Sequence, residues 1–217
     1  MELHVLDPFG DFQTAGYLRN FQAEKDLEIV KHLEAAAFHE QVRQTLSYLE
    51  GAPSLTYEHI LQAHRMLFDS VYPWAGQDRQ TTAPYLRIVK EGYRELFALP
   101  DSIRFAADYA LRLASDAAYL RAHPGEIFGY LAHAHPFLEG NGRALLTVYS
   151  DMSRRAGFHV VWEQIDKREF LRSLTDELME HGTSMDTLIL RYVRDGVLSL
   201  TEIAGGLESN FERQKNI

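Results

Sequence analysis

Cysteine is absent from all 217 residues, which excludes a disulfide framework, a thiolate nucleophile and cysteine-ligated zinc, and fits a reducing compartment. Long apolar runs are missing too. None approaches the roughly 18 residues a membrane-spanning helix needs, and the opening Met-Glu-Leu-His-Val-Leu-Asp lacks the basic-then-apolar order of a secretory leader. The expectation is a cytoplasmic protein with no membrane partner, with export as an effector left open. Positive charge is scarce: 22 Lys and Arg against 31 Asp and Glu give a net charge of −9. Binding to a nucleic-acid backbone needs clustered cations, so no nucleic-acid partner is expected, although a local basic pocket is compatible with that sum. No repeat, low-complexity tract or linker divides the chain.

What is present is enough for a core. Apolar residues make up 46% and aromatics 12% of the chain, which argues against disorder, and the length matches about one domain. Apolar residues recur every three or four positions from Asn20 to about Leu49, the pattern of a long amphipathic helix. Gly51-Ala-Pro53 ends it, and Thr56 with Glu58 in the next turn opens a second helix carrying Ile60, Leu61, Met66, Leu67 and Phe68. Tyr72-Pro-Trp-Ala-Gly76 closes that one. From Gln77 to Leu99 no helical period survives, and a loop with a short hairpin is expected. Helical spacing then runs from Asp101 or Ser102 to His123. Pro124 starts a helix reaching Ala134, another runs from Asn141 to Gly157, and Asp166 with Glu169 caps one ending near His181. Segments 184–198 and 201 onward also read as helical. The fold class is all-α, a single bundle with one hairpin.

One stretch does not read as ordinary core: His135-Pro-Phe-Leu-Glu-Gly-Asn-Gly-Arg143, between two helices. Pro136 and the glycines break the first helix, and Gly140-Asn141-Gly142 lets backbone amides approach an anion closely at the start of the second. Arg143 adds a fixed cation and Asn141 an amide. Glu139 is a hard oxygen ligand suited to Mg²⁺, and His135 can take a proton near neutral pH. Together they point to phosphoryl or nucleotidyl transfer.

The stretch resembles the signature of the Fic (Fido) family, His-Pro-Phe-x-Asp/Glu-Gly-Asn-Gly-Arg-x-x-Arg, through its first nine positions. Leu55-Thr-x-x-His59, His64-Arg65-x-Leu-Phe68 and Tyr72-x-Trp-Ala-Gly76-x-x-Arg79 resemble the segment that precedes the family's flap. The similarity lies within about residues 20–160, with the helices of 166–217 read as part of the same Fic domain spanning 1–217. The resemblance implies a Fic-fold helical bundle with a small β-hairpin flap, and a protein adenylyltransferase. Such enzymes move AMP from ATP to a Ser, Thr or Tyr hydroxyl of a target protein. By motif position His135 would be the general base and Glu139 the Mg²⁺ ligand. Gly140, Asn141, Gly142 and Arg143 would hold the phosphates. Phe137 would anchor the loop, and Tyr72, Trp74 and Arg79 would be mainly structural. A flap near Ile88 to Phe97, with Ile88, Val89 and Lys90, would align the target by strand addition.

One motif position departs: the second arginine is Leu146. In the family that arginine contacts the γ-phosphate or pairs with an inhibitory glutamate. Three readings follow: Arg87, Lys90 or Arg94 supplies the charge, the donor is another phosphate compound, or the chain is a weakly active binding module. A leucine one turn into a helix is equally an ordinary core residue. The family's inhibitory Ser/Thr-x-x-x-Glu-Gly/Asn pattern has no good match, since Ser47 and Thr45 are misplaced before Glu50-Gly51 and Ser173 to Glu177 is followed by Leu178. That leaves room for a separate antitoxin-like inhibitor. His133 and His135 form His-x-His without a further ligand at suggestive spacing, so zinc is not expected there. Arg154 and Arg155 read as a helix C-terminal pair.

Overall fold

Asp26 decides where the first described helix begins. The computed structural model of the chain describes residues 18–88, 96–182 and 184–213, and in it α1 spans Leu27–Glu50, with the Asp26 carboxylate accepting from Glu28 N. The periodicity had suggested a start at Asn20. Instead the Asn20 side chain closes a turn, its Oδ1 accepting from Glu24 N and its Nδ2 donating to Glu24 O, both at 2.9 Å. Side-chain bonds of this kind compete with helix, and here they win over six residues. Val30, Ala37, Phe38, Val42, Leu46 and Leu49 form the buried face of α1.

The second helix, α2 (Tyr57–Phe68), starts at Thr56, whose N–H donates to His59 Nδ1 at 3.1 Å. After a turn that buries Tyr72 and Trp74 comes a single helical turn, α3 (Arg79–Thr82), capped by Asp78 through Thr81 N at 3.0 Å. The stretch from Gln77 to Leu99 therefore contains a helical turn where only loop and hairpin had been expected. A carboxylate cap nucleates a turn too short for periodicity to register. The expected flap falls mostly on 89–95, and its Val89 and Lys90 lie outside the described residues.

Where one helix was expected from residue 101 or 102 to 123 there are two, α4 (Ile103–Ala114) and α5 (Ala117–Ala122), the first led in by a 3₁₀ turn at Pro100–Ser102. Asp116 makes the break, accepting from Ala118 N at 3.0 Å and Tyr119 N at 3.1 Å, so that its apolar neighbours restart a new helix at an angle. Next come α6 (Pro124–Ala134) and α7 (Asn141–Arg155), the pair that flanks the motif. Helix α7 packs against α1, α2 and α6, and every residue from Ala144 to Ser153 is buried. Arg154 and Arg155 do more than end it. Both pair with the fully buried Asp151, and Arg155 Nη2 also donates to the Leu49 and Ala52 carbonyls at 2.6 and 2.9 Å, tying the end of α7 to the end of α1.

Gly157, at φ +83, turns the chain into β1 (Phe158–Val160), which pairs antiparallel with β2 (Val193–Asp195), Phe158 facing Asp195 and Val160 facing Val193. This two-stranded ribbon corrects the helical reading of 184–198. Helix α9 (Ser184–Ile189) stops early and the chain extends along β1, with Gly196 at φ +104 turning it away. Between the strands lies α8 (Lys167–Met179), whose Asp166 cap accepts from Glu169 N at 2.9 Å. The last described helix, α10 (Leu200–Arg213), covers α1, with the Phe38 and Phe211 rings edge to face at 5.1 Å. No described helix is long and apolar enough to cross a membrane.

Candidate active site

The loop 135–140 has no regular backbone pairing of its own, so its shape comes from buried side chains beneath it. Arg79 is the first. Fully buried, it donates from Nε to the His135 carbonyl at 2.7 Å and from Nη2 to the Ala98 carbonyl at 2.8 Å, while its backbone N–H bonds Pro136 O at 2.7 Å. A planar guanidinium meets two carbonyls at a fixed angle. His135 consequently sits in a left-handed conformation (φ 40°, ψ 60°) at the end of α6, with Phe97 against its ring at 4.1 Å.

His64 is the second. Its Nδ1 accepts from Gly76 N at 2.9 Å, so the proton is on Nε2, which donates to the Glu139 carbonyl at 3.0 Å. The ring lies face to face with Phe137, centroids 3.7 Å apart. Burial pushes its pKa down to about 3, keeping it neutral and its hydrogen-bond pattern constant. Gly140 lies directly above: at φ +78, a Cβ there would come within 2.6 Å of Phe68 Cε2 and 3.0 Å of His64 Nε2. Only glycine fits. Asn141 is the third brace, accepting from Phe137 N at 2.9 Å, donating to Phe137 O at 2.7 Å and reaching His135 Nε2 at 3.2 Å. Its side chain therefore shapes the loop and orients the imidazole.

Above this floor the site opens. Gly142 is exposed, with open space where a Cβ would point, so the first amides of α7 can be reached by an anion. Beside them lies a cavity of about 540 Å³ bordered by Lys31, Glu34, Glu139, Gly142, Arg143 and Lys167. Arg143 does not stand free in it. Its Nη2 pairs with Glu34 Oε2 at 2.8 Å and its guanidinium lies over the Phe68 ring at 4.9 Å, while Tyr72 OH donates to Glu34 Oε1 at 2.5 Å. Glu139 Oε1 accepts from Gly140 N at 2.8 Å and stands 3.9 Å from Arg143. Burial first, and the nearby Glu34 charge second, push the Glu139 carboxyl above its ordinary range.

The structure thus brings His135, Glu139, Gly140, Asn141, Gly142 and Arg143 together at one helix N-terminus. It does not bring Arg87 there by any described contact, Lys90 and Arg94 lie outside the described residues, and Ile88 is half-buried at the edge of that segment. Leu146 is buried in the core, 4% exposed, which matches the ordinary reading of a leucine one turn into a helix. His133 Nδ1 meets the Leu96 carbonyl at 2.8 Å, and His133 and His135 belong to no metal-ligand cluster among the described residues. Glu34 and the floor role of His64 were not recognised in the sequence. Both carried a signal: Val30, Glu34 and Phe38, like Ile60, His64 and Phe68, put a polar residue on a buried stripe at i, i+4 spacing.

The helical fold thus sets a histidine beside a glycine-rich turn at a helix N-terminus, where backbone N–H groups can meet an anion. The Fic/DOC family model matches residues 54–150 of the chain. The chain is 29% identical over 193 residues, 85% of its length, to the protein adenylyltransferase VbhT of Bartonella schoenbuchensis. It is also 29% identical over 167 residues to the probable protein adenylyltransferase y4lH of Sinorhizobium fredii. The chain spans 38% of the length of the first and 81% of the second. Among solved structures it resembles BepC, a VirB-translocated effector of Bartonella tribocorum with bound AMPPNP, at TM-score 0.72 and 19% identity over 88% of this chain and 99% of that one. It likewise resembles the N-terminal Fic domain of a Bartonella quintana effector with bound ADP, at TM-score 0.70 and 20% identity over 88% and 96% of the two chains.

Proposed function

We propose that this protein transfers AMP from ATP to a Ser, Thr or Tyr hydroxyl of a target protein and releases pyrophosphate. The observation that carries the proposal is the Asn141 brace, which holds His135 Nε2 at 3.2 Å from an amide anchored at the first residue of α7, at the mouth of the phosphate cradle. In this reading His135 accepts the proton of the target hydroxyl as its oxygen bonds to the α-phosphorus. The N–H groups of Gly140, Asn141 and Gly142 hold the phosphates, and Arg143 exchanges Glu34 for a phosphate oxygen. Relatives named adenylyltransferases and neighbours solved with AMPPNP or ADP support the same donor class.

Glu139 fits Mg²⁺ as a single hard ligand. Among the described residues its Oε2 takes no hydrogen bond, and Glu34 across Arg143 makes a second negative charge that a cation offsets. The ion would supply charge neutralisation on the phosphates. Lys31 and Lys167, bordering the same cavity, take the place of the charge that Leu146 lacks. The target aligns along the segment beginning at Ile88, and a separate antitoxin-like chain would inhibit by entering the cavity beside Glu34. Residues 1–217 form one Fic domain, a reading supported by the packing of α10 on α1. The protein acts in a cytoplasm, its own or a host's.

The test is incubation of ATP labelled at the α-phosphate with Mg²⁺, a lysate and either the unaltered protein or His135→Ala. Label should enter protein with the unaltered chain alone. Absence of transfer from ATP and from other nucleotide or diphosphate donors would leave a Fic-fold binding module instead.

A further inference from the structure

Away from the motif, α6 begins against α9 more closely than side chains allow: a Cβ on Gly125 would fall 2.0 Å from the Met185 carbonyl carbon. At that contact His123, Glu126 and Asp186 converge, one ligand atom from each lying within 4.8 Å of the others. His123 Nδ1 is 3.4 Å from Asp186 Oδ2 and 3.8 Å from Glu126 Oε2. Both carboxylates are largely buried, their side chains 15% and 13% exposed for Glu126 and Asp186. Among the described residues no lysine or arginine pairs with either; His123 lies nearest, and the His181 imidazole adds a weaker electrostatic contact to Glu126. Two carboxylates withdrawn from water thus have hydrogen-bond donors and imidazole beside them but, among the described residues, no permanent cation. Buried carboxylates are as a rule paired with a cation or bound to a metal.

We infer that His123, Glu126 and Asp186 bind one zinc ion, with water as the fourth ligand. Zinc held at about 2.0–2.2 Å sets its ligand atoms roughly 3.3–3.6 Å apart in a tetrahedron; the imidazole already lies 3.4 and 3.8 Å from the two carboxylates, and all three ligand atoms lie within 4.8 Å of one another, so a small inward adjustment would seat the ion. An imidazole nitrogen among two carboxylates favours zinc over magnesium, which prefers oxygen alone. The surrounding donors aim the ligands. Asp186 Oδ1 accepts from Gly125 N at 2.6 Å and Glu126 N at 3.1 Å, leaving Oδ2 toward His123. Glu126 is steadied by Tyr119 OH on Oε2 at 2.8 Å and Tyr130 OH on Oε1 at 3.4 Å. Such outer contacts fix ligand orientation in metal sites. The ion would clip the α5–α6 elbow to α9, a structural role independent of the transfer reaction.

The experiment is titration of the chelator-treated full chain with Zn²⁺, read by calorimetry and by thermal unfolding, with Co²⁺ as a spectroscopic stand-in. Expected are one ion per chain, a raised Tm, a tetrahedral Co²⁺ absorption spectrum, and binding that survives excess Mg²⁺. His123→Gln and Glu126→Gln should each weaken binding at least about tenfold while retaining the unaltered circular dichroism. Glu139→Gln should leave it unchanged. Lack of saturable binding, displacement by Mg²⁺, undiminished binding in both His123→Gln and Glu126→Gln, or loss only in Glu139→Gln would each overturn the assignment. If both ligand variants fail to fold, the Co²⁺ spectrum of the unaltered protein still decides: absence of a tetrahedral nitrogen and oxygen site refutes it.

Discussion

The floor and the rim of the motif loop each hold an arginine among polar partners and behave differently. On the floor, His64 and Arg79 are fully buried, and His64 Nε2 and Arg79 Nε donate to backbone carbonyls of the loop, Glu139 O and His135 O. On the rim, Arg143 bonds Glu34 at 2.8 Å and stands 3.9 Å from Glu139, beside a cavity. A buried donor whose partner is a main-chain carbonyl cannot be exchanged without unfolding something, because no water is at hand to replace it. The Arg143–Glu34 pair, its side chains 15% and 6% exposed, is itself largely buried, but the cavity beside it lets a phosphate or a cation replace one partner so that neither charge is stranded. The floor therefore fixes where the amides point, and the rim is the part that ligands can rearrange.

Breaking the floor should have the largest effects. Arg79→Ala removes both Nη2 and Nε contacts and leaves the His135 and Ala98 carbonyls without donors. The expected loss is about 3–5 kcal/mol, read from urea unfolding, with transfer activity abolished. Gly140→Ala combines the left-handed backbone with the 2.6 Å approach to Phe68 and should cost about 2–4 kcal/mol. His64→Phe keeps the stacking on Phe137 but strands Gly76 N and Glu139 O, for about 2–3 kcal/mol. Because burial holds the folded His64 pKa at about 3, below the unfolded value of about 6.5, the unfolded chain takes up the proton first; the stability that His64 contributes should be full above about pH 6.5 and be lost progressively as pH falls from there toward about 3.

How much of this the sequence discloses depends on range. The motif's outer residues and the caps at Pro124 and Asp166 are local, and they were legible from spacing. The break at Asp116 and the turn at Arg79 each hinge on one capping carboxylate acting over less than one helical period, too short for pattern to register. The β1–β2 ribbon joins residues 37 apart, from Phe158 to Asp195, and no local signal carries that pairing. Glu34 and His64 were visible as polar positions on apolar stripes. Their partners lie 109 and 75 residues away, so the sequence marked them as unusual without naming what they hold.

The rim should respond more gently, and in the opposite sense. Glu34→Gln keeps the acceptor for Tyr72 OH but removes the charge that holds Arg143. Stability should fall by about 1–2 kcal/mol, while nucleotide binds several-fold more tightly because Arg143 no longer has to leave a carboxylate. Weaker binding would mean that Glu34 instead holds Arg143 in its productive position. The smallest effect concerns pH. With its pKa raised by burial and by Glu34, Glu139 binds its proton more tightly folded than unfolded. That contribution to stability is fully present below the unfolded carboxyl value, about 4.3, and is lost as pH rises through the folded value. Glu139→Gln should flatten this part of the Tm profile. Mg²⁺ needs the ionised form, so Mg²⁺-dependent nucleotide binding by the unaltered protein should fall on acidification at a pH above the ordinary carboxylate range. Glu34→Gln should shift that fall to lower pH by removing one of the two causes; an unmoved midpoint would place the whole shift on burial and uncouple the two carboxylates.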